Sequence, residues 1–151
     1  MKKVFSILVL LVSACLLFAG CGNEYAEKEY NDLEKIADSA DRYSKSVSTF
    51  SQLNNVFTLK SEKFDGRETL WRETVSSEKE IEIEVNLSVS KGAAKLVYID
   101  NDNNVSTIIE CSSETSKQQS ITEKLTLKKG LNRLKIVGKG CNDLNLRFEI
   151  K

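Results

Sequence analysis

The strongest structural constraint in this sequence is a run in which apolar and polar residues alternate strictly. The apolar positions are Ile81, Ile83, Val85, Leu87 and Val89, and the polar positions between them are Glu80, Glu82, Glu84, Asn86 and Ser88. Successive side chains of a β-strand point to opposite faces of a sheet, so this period of two predicts a strand with one buried face. Its other face is predicted to be solvated and acidic.

Seven further short runs of strand character follow one another between Val56 and the end of the sequence. They cover residues 56–60, 68–75, 95–100, 105–111, 121–127, 131–138 and 144–150. Turn signals such as Asp65-Gly66, Lys91-Gly92 and Lys129-Gly130 separate them. About eight short strands without a helical insert predict a mainly β fold, an antiparallel β-sandwich over residues 55–151.

The predicted core of the sandwich is the set of apolar side chains that share the inward face of these strands. In addition to the Ile81 to Val89 run, it consists of Phe57, Leu59, Leu70, Leu96, Tyr98, Ile108, Leu125, Leu127, Leu131, Leu134, Ile136, Leu146, Phe148 and Ile150.

The segment before the strands has a helical periodicity. Apolar residues are spaced three and four apart at Leu33, Ile36, Ala40, Tyr43, Val47 and Phe50. This spacing predicts one long helix over about residues 23–50, with Asn23 as the N-cap. We therefore interpret residues 21–54 as a helical stalk or linker. Because the stripe lasts under four heptads, two arrangements stay open: a helix docked on the following domain, or a stalk that pairs with a second copy.

Residues 1–20 have the pattern of a secretory signal peptide, with Lys2 and Lys3, an apolar stretch over residues 4–18, and a small-residue site. The apolar stretch is shorter than the ~20 residues that span a bilayer. Leu17-Phe18-Ala19-Gly20-Cys21 resembles the lipobox of bacterial lipoproteins, with Phe18 where that family usually has Leu.

The lipobox resemblance implies that Cys21 becomes the new N-terminus and carries a diacylglycerol with palmitate-type chains. Two acyl chains give stable attachment to a membrane. The implied location is therefore the extracytoplasmic face of the cell membrane, as in a Gram-positive organism. The segment Val12-Ser13-Ala14-Cys15 fits the box as well, which leaves Cys15 as an alternative position for the lipid.

The composition excludes several classes of function. The 151 residues contain no histidine, so no Ser-His-Asp or Cys-His apparatus and no imidazole metal site can form. The 22 basic residues balance the 22 acidic ones, and nucleic-acid binding requires a strongly basic face. We therefore expect no enzyme activity, no cofactor and no nucleic-acid partner.

Two cysteines, Cys111 and Cys141, lie within the predicted sandwich. Outside the cytoplasm a disulfide between them can persist. It closes a loop of about 30 residues, for which the chain-entropy estimate is roughly 3–4 kcal/mol of stabilisation. The alternative is two free thiols.

Two groups of acidic residues qualify as candidate sites. Asp100, Asp102 and Asn104 provide oxygen ligands at alternate positions, as in a calcium loop. The loop lacks the Gly and Glu of an EF-hand, and the alternative is a polar hairpin turn. Glu80, Glu82 and Glu84 share one strand face, where they are either a glycosidase-like carboxylate set or a solvated face with lysine partners.

Aromatic residues are few in the predicted sandwich. Trp71 lies between Leu70 and Arg72 in a strand, and an exposed Trp provides a platform for sugar stacking or an interface anchor. Together with Tyr98 it is the candidate ligand contact. The alternative is that Trp71 packs in the core or beneath the helix.

The hairpin at residues 125–136 is similar to the hairpin near the end of jelly-roll carbohydrate-binding modules. The similarity rests on Gly130 and Asn132 between two alternating strands. It implies a jelly-roll-like sandwich, and it also recurs in lipoprotein domains of unassigned role. We expect a non-enzymatic module at the cell envelope that binds another protein. The alternative is a module that binds carbohydrate or cell wall.

Overall fold

A computed structural model describes residues 24–115 and 117–151, which form a mainly β protein. Two short helices, α1 (Glu24–Glu29) and α2 (Leu33–Ala37), precede the strands. The strands are β1 (Arg42–Leu53), β2 (Val56–Val75), β3 (Lys79–Ser88), β4 (Lys91–Ile99), β5 (Val105–Ser112), β6 (Gln118–Leu127) and β7 (Gly130–Ile150). The described residues thus form seven strands, whereas the sequence predicts about eight.

All the strand pairs are antiparallel, and β7 is central to the sheet. One edge of β7 pairs with β2 from Val75↔Gly130 to Val56↔Glu149. The other edge of β7 pairs with β4 along residues 133–142 and with β3 along residues 145–150. β5 pairs with the outer edge of β4, and β6 pairs with the outer edge of β3. β1 pairs with the edge of β2 that faces away from β7.

The sheet folds over on itself along a line that crosses every long strand. The line passes through a bulge between Phe64 and Gly66 in β2, and through the facing residues Gly138 to Cys141 in β7. It continues through the short breaks between β3 and β4 and between β5 and β6. A Cβ atom on Gly66 (φ +99°) would lie 2.1 Å from the Arg42 carbonyl oxygen, so this bend requires glycine.

Folding the sheet over places its apolar side chains between the two halves, as in a sandwich. Phe64, Ile83, Leu96, Leu134 and Phe148 come from four strands and are all fully buried in this core. The predicted core residues are buried, except that Leu131 is exposed and Ile150 is only partly buried. Alternation along the strands was therefore a reliable guide to which side chains face inward.

The predicted long helix is wrong. Helix α1 ends at Glu29, Asp32 caps a new helix by accepting a hydrogen bond from the Lys35 amide (3.1 Å), and α2 ends at Ala37. From Arg42 the chain is a strand that pairs with β2 as far as Leu53↔Val56. Its Ser- and Thr-rich sequence has weak helix propensity, and pairing with β2 provides the backbone hydrogen bonds instead.

The two short helices dock on the sandwich. Tyr30 and Ile36 are buried against Val97, Ile99 and Val137 in a second, smaller core. Across residues 24–115 and 117–151, no helix has the length and apolar character needed to cross a membrane. The predicted signal peptide, the lipidation at Cys21 and the helix cap at Asn23 lie outside the described residues.

Candidate functional site

The two halves of the folded sheet have very different outer faces. The first, which we call the covered face, consists of the outward side chains of β4, of residues 66–75 of β2 and of residues 130–140 of β7. Helices α1 and α2 pack on it. We call the open face the outward side chains of β1, β3, β6, residues 56–64 of β2 and residues 141–150 of β7. The open face has no described helix packed on it, and its side chains are exposed or half-buried.

Buried cations hold the helices on the covered face. Lys135 is fully buried, donates a hydrogen bond to the Asp38 carbonyl oxygen (2.7 Å) and forms an ion pair with Asp41 (3.2 Å). Arg67 is paired with Glu29. Because these charges are enclosed, they need the acceptors that the helical segment provides. The covered face is therefore a structural interface.

A cleft of about 750 Å³ lies between α1 and the β4–β5 edge of the covered face. Two of its lining residues are joined by a hydrogen bond from the Tyr30 hydroxyl to Glu110 (2.9 Å). The Lys95 ammonium, which is not part of the lining, lies 4.4 Å from the centre of the Tyr30 ring. Lys95 also donates to Asn31 (3.2 Å), and burial lowers its pKa. Charged side chains thus line the cleft, Glu27 and Lys139 among them as an ion pair (2.7 Å), and the cleft is not an apolar groove.

The open face carries two adjacent rows of side chains that are entirely polar. Strand register places these side chains side by side across five strands. One row consists of Thr49, Lys60, Asn145, Ser88 and Gln118. The next consists of Ser51, Thr58, Arg147, Asn86 and Ser120. These ten positions present hydroxyl, amide and cationic groups and no apolar side chain.

A groove of about 400 Å³ follows these rows, lined by Thr58, Lys60, Asn86, Leu87, Ser88, Gln118, Asn145 and Arg147. The Arg147 guanidinium is positioned by Glu149 (2.8 Å) and lies 3.9 Å from Glu84. Among the described residues, the side chains of Lys60, Asn86 and Asn145 make no hydrogen bond or ion pair. Their donors and acceptors are therefore available to a ligand.

Lysines pair with the acidic side chains on the open face. Glu80 pairs with Lys124 across the strand (3.0 Å), and Lys151 pairs with Glu84 (3.0 Å) and lies 3.9 Å from Glu82. The hydrogen bond from Lys151 lowers the pKa of Glu84. A lowered pKa is the opposite of the raised pKa that the general acid of glycoside hydrolysis needs. The arrangement matches the alternative interpretation of a solvated face with lysine partners.

The two predicted ligand contacts are integrated into the sandwich. Trp71 is partly buried and packs against the main core, on the same side of the sheet as Leu134. Tyr98 is buried, and its hydroxyl hydrogen-bonds with Asn132 and the Thr126 carbonyl oxygen. Neither ring forms an exposed aromatic platform. Asn132, noted only as part of the hairpin, has the structural role of bridging Tyr98 and the turn after β6.

The Asp100 loop is a self-contained hairpin turn. One carboxylate oxygen of Asp100 accepts from the backbone amides of Asp102 and Asn104 (both 2.9 Å), and the other accepts from the Asn104 side chain. These bonds occupy the oxygens that a calcium ion would need. Across the described residues, no cluster of three or more Cys, Asp or Glu side chains could hold a metal ion.

Cys111 and Cys141 are buried near the fold line, and the structure has both as free thiols. Burial raises the pKa of Cys111 to about 11 and that of Cys141 to about 12. The Cys141 thiol also donates to the Ala93 carbonyl oxygen (3.0 Å). Both sulfurs are protonated at neutral pH, which makes them poor nucleophiles. The disulfide stays a prediction.

Sequence reasoning missed the groove residues of β2, β7 and β6. Of the groove residues, the sequence predicts only Asn86 and Ser88 to lie on a solvated face of a strand. Thr58, Lys60, Asn145 and Arg147 occupy the polar positions of alternating segments, which is the signal that marks them as outward-facing. The register that brings them beside Asn86 is non-local and is visible only in the structure.

No protein-family model matches this sequence, and no curated protein matches it either. Among solved structures the chain is similar to a carbohydrate-binding module of Cellvibrio mixtus lichenase 5A in complex with cellotriose, at 15% identity and a TM-score of 0.38. The match covers 79% of this chain and 92% of that module.

Two further solved structures show a similar degree of likeness. CBM35 from Paenibacillus barcinonensis has 11% identity and a TM-score of 0.39, over 75% of this chain and 98% of that one. An exo-β-1,3-galactanase from Phanerochaete chrysosporium with β-1,3-galactotriose has 13% identity and a TM-score of 0.41. That match covers 74% of this chain and 27% of the galactanase. These scores are too low to support an argument about a ligand.

Proposed function

We propose that this protein is a non-enzymatic binding module of the bacterial cell envelope and that the groove on its open face binds a polysaccharide. The observation that carries the proposal is the pair of polar rows, in which the amides of Asn86 and Asn145 flank the Arg147 guanidinium. The amides donate and accept hydrogen bonds and the guanidinium donates them, each in a planar arrangement that suits the neighbouring hydroxyls of a sugar ring.

The electrostatics of the groove support the same ligand class. Lys60 and Arg147 are its cationic groups, and Glu149 partly neutralises Arg147. With no aromatic ring in the groove lining, binding must come from hydrogen bonds. A site of this kind discriminates strongly against analogues that lack the hydroxyl groups it pairs with.

Retention on insoluble polysaccharides and on purified peptidoglycan tests the proposal. We expect at least one of these materials to retain the wild-type protein, and the double variant N86A/N145A to be retained at least about tenfold less, because two hydrogen-bonding groups are lost. Lys124→Gln is the matched control on the same face outside the groove, and its retention should equal that of the wild type. Failure of every material to retain the wild-type protein would refute the proposal.

We further propose that lipid on Cys21 anchors the module to the extracytoplasmic face of the cell membrane. The support is the lipobox-like leader, which holds a second candidate at Cys15. Cys21→Ser should release the protein from the membrane fraction and abolish incorporation of labelled palmitate, whereas Cys15→Ser should leave both unchanged. The opposite pattern would assign the lipid to Cys15, and unchanged association in both variants would contradict the anchor.

A second candidate function, binding to another envelope protein, is favoured by the free edge of β1. Its side chains Val47, Phe50 and Leu53 are exposed by 73%, 45% and 75%. An unpaired edge with exposed apolar residues is a template for strand addition. Under this alternative, Val47→Lys should abolish capture of the partner without changing polysaccharide retention.

A further inference from the structure

Two arginines face each other across the β2–β7 ladder on the covered face, next to the C-terminal end of α2. Arg72 is the register partner of Arg133, so both side chains leave the sheet on the same outer side. Like charges directly opposite each other on neighbouring strands are destabilising. The pair therefore requires a physical explanation.

Arg133 is held in a fixed position, and only one of its side-chain nitrogens has hydrogen-bond partners. The residue is 5% exposed, and one terminal nitrogen donates to the Ala37 carbonyl oxygen (2.9 Å) and the Asn103 side chain (2.8 Å). Its Nε and its other terminal nitrogen have no partner among the described residues. Burial, followed by the nearby charge of Arg72, lowers the pKa of this guanidinium. A buried donor without an acceptor is rare in native proteins.

Arg72 differs from Arg133 in being exposed and free to move. Within the described part of the chain, its side chain makes no hydrogen bond, ion pair or ring contact. The acids whose charges act on Arg133 are Asp41 and Asp38. Asp41 is already bound to Thr69 and Lys135, and Asp38 accepts from the Ala40 amide. The two arginines therefore lack an anion of their own.

We propose that Arg72 and Arg133 form a binding subsite for an oxyanion, either a carboxylate or a phosphate group. Arg133 provides a fixed positive charge, and the mobile Arg72 side chain closes on the anion with its forked donors. The bound anion neutralises the repulsion between the two guanidinium groups. The subsite lies on the opposite outer face from the polysaccharide groove, so it does not depend on the proposed function.

The test is a titration of the purified full chain with sodium phosphate and, separately, with sodium glucuronate. Ionic strength is kept constant with sodium chloride, and the Nε–H resonances of the arginines are followed by NMR. We expect saturable shifts at Arg72 and Arg133 with at least one of the two anions. Binding of phosphate alone identifies a phosphate ligand, and binding of glucuronate alone identifies a carboxylate ligand.

Two charge-removing variants make the result specific. Arg72→Gln should weaken the binding at least about tenfold, because it removes hydrogen bonds to a charged group. Lys124→Gln removes one positive charge from the open face outside the groove and should leave the affinity unchanged. Absence of saturable shifts in the wild type, unchanged affinity in R72Q, or an equal loss in K124Q would each overturn the subsite. The wild-type titration decides the question even if R72Q does not fold.

Discussion

The covered and open faces belong to the same strands, β2 and β7, yet they treat charged side chains in opposite ways. On the covered face, Lys135 is enclosed and bound to a backbone carbonyl and a carboxylate of the N-terminal segment. On the open face, Lys60 is exposed and has no partner among the described residues. Lys135 thus holds the N-terminal segment on the covered face, whereas Lys60 offers a hydrogen-bond donor to a ligand on the open face.

This difference follows from what packs on each half of the sheet. The outward positions of β4 and β7 on the covered face include Val97, Ile99 and Val137, which need an apolar partner and obtain it from Tyr30 and Ile36. The outward positions in the two polar rows of the open face contain no apolar side chain that requires cover. This bare polar surface leaves the open face accessible to the polysaccharide that we propose as its ligand.

The largest expected effect is on the packing of the covered face. Ile36→Ala removes a fully buried side chain beneath α2, and the cavity should lower the free energy of unfolding by about 2–4 kcal/mol. Leu33→Ala, in the same helix but 58% exposed, should change it by less than about 0.5 kcal/mol. Urea unfolding of both variants measures the comparison. Equal effects would show that α2 is not docked.

Removing a lysine should have unequal consequences on the two faces. Lys135→Ala leaves Asp41 without its ion pair and the Asp38 carbonyl oxygen without its donor, at an expected loss of about 1–3 kcal/mol. Lys60→Ala should remain within about 0.5 kcal/mol of the wild type, because the side chain is exposed. Chemical denaturation provides both values. A loss in K60A as large as that in K135A would contradict the assignment of the faces.

The pH dependence of Lys95→Met sharpens the comparison further. Burial lowers the pKa of folded Lys95, so its charge destabilises the folded state at neutral pH. This destabilisation fades as pH rises towards the unfolded pKa of about 10.4. The free energy of unfolding of K95M minus that of the wild type should therefore fall as pH rises from the folded pKa of Lys95 to its unfolded pKa. A constant difference in urea unfolding over this range would be inconsistent with a buried charge.

The smallest effect, with the opposite sign, is expected for Lys124→Met on the open face. A hydrogen bond and charge interaction with Glu80 raise the pKa of Lys124. The stabilisation from this lysine is present below its unfolded pKa of about 10.4 and is lost as pH rises through the folded pKa. The difference between K124M and the wild type should thus rise slightly at alkaline pH. The same unfolding series tests this, and a falling difference would refute it.

Local alternation predicted the strands well where burial is one-sided. The run from Ile81 to Val89 lies in β3 except for Val89, which follows directly after it, and all five of its apolar residues are buried in the core. The sequence predicts a turn at Asp65-Gly66, but Gly66 lies in a bend inside β2. A bend and a turn share the same residue preferences, and only the pairing of the neighbouring strand distinguishes them.

The N-terminal segment shows why the remaining features were not predicted. Tyr43, Val47 and Phe50 have helical spacing, yet they are exposed side chains of β1, a strand that pairs with β2. That pairing depends on residues outside the segment, so no local pattern reveals it. The groove has the same origin: Asn86 and Arg147 are 61 positions apart and become neighbours only through the β3–β7 register.

The most direct test of the central claim, that the open face is the binding surface, is an NMR map of the bound state. Soluble oligosaccharide is prepared from the polysaccharide that retains the protein and is titrated into the labelled chain. The predicted result is a cluster of shift changes at Lys60, Asn86, Asn145 and Arg147, with the resonances of the covered face unmoved. A cluster on β1 or on the covered face, or no change on the open face, would contradict the claim.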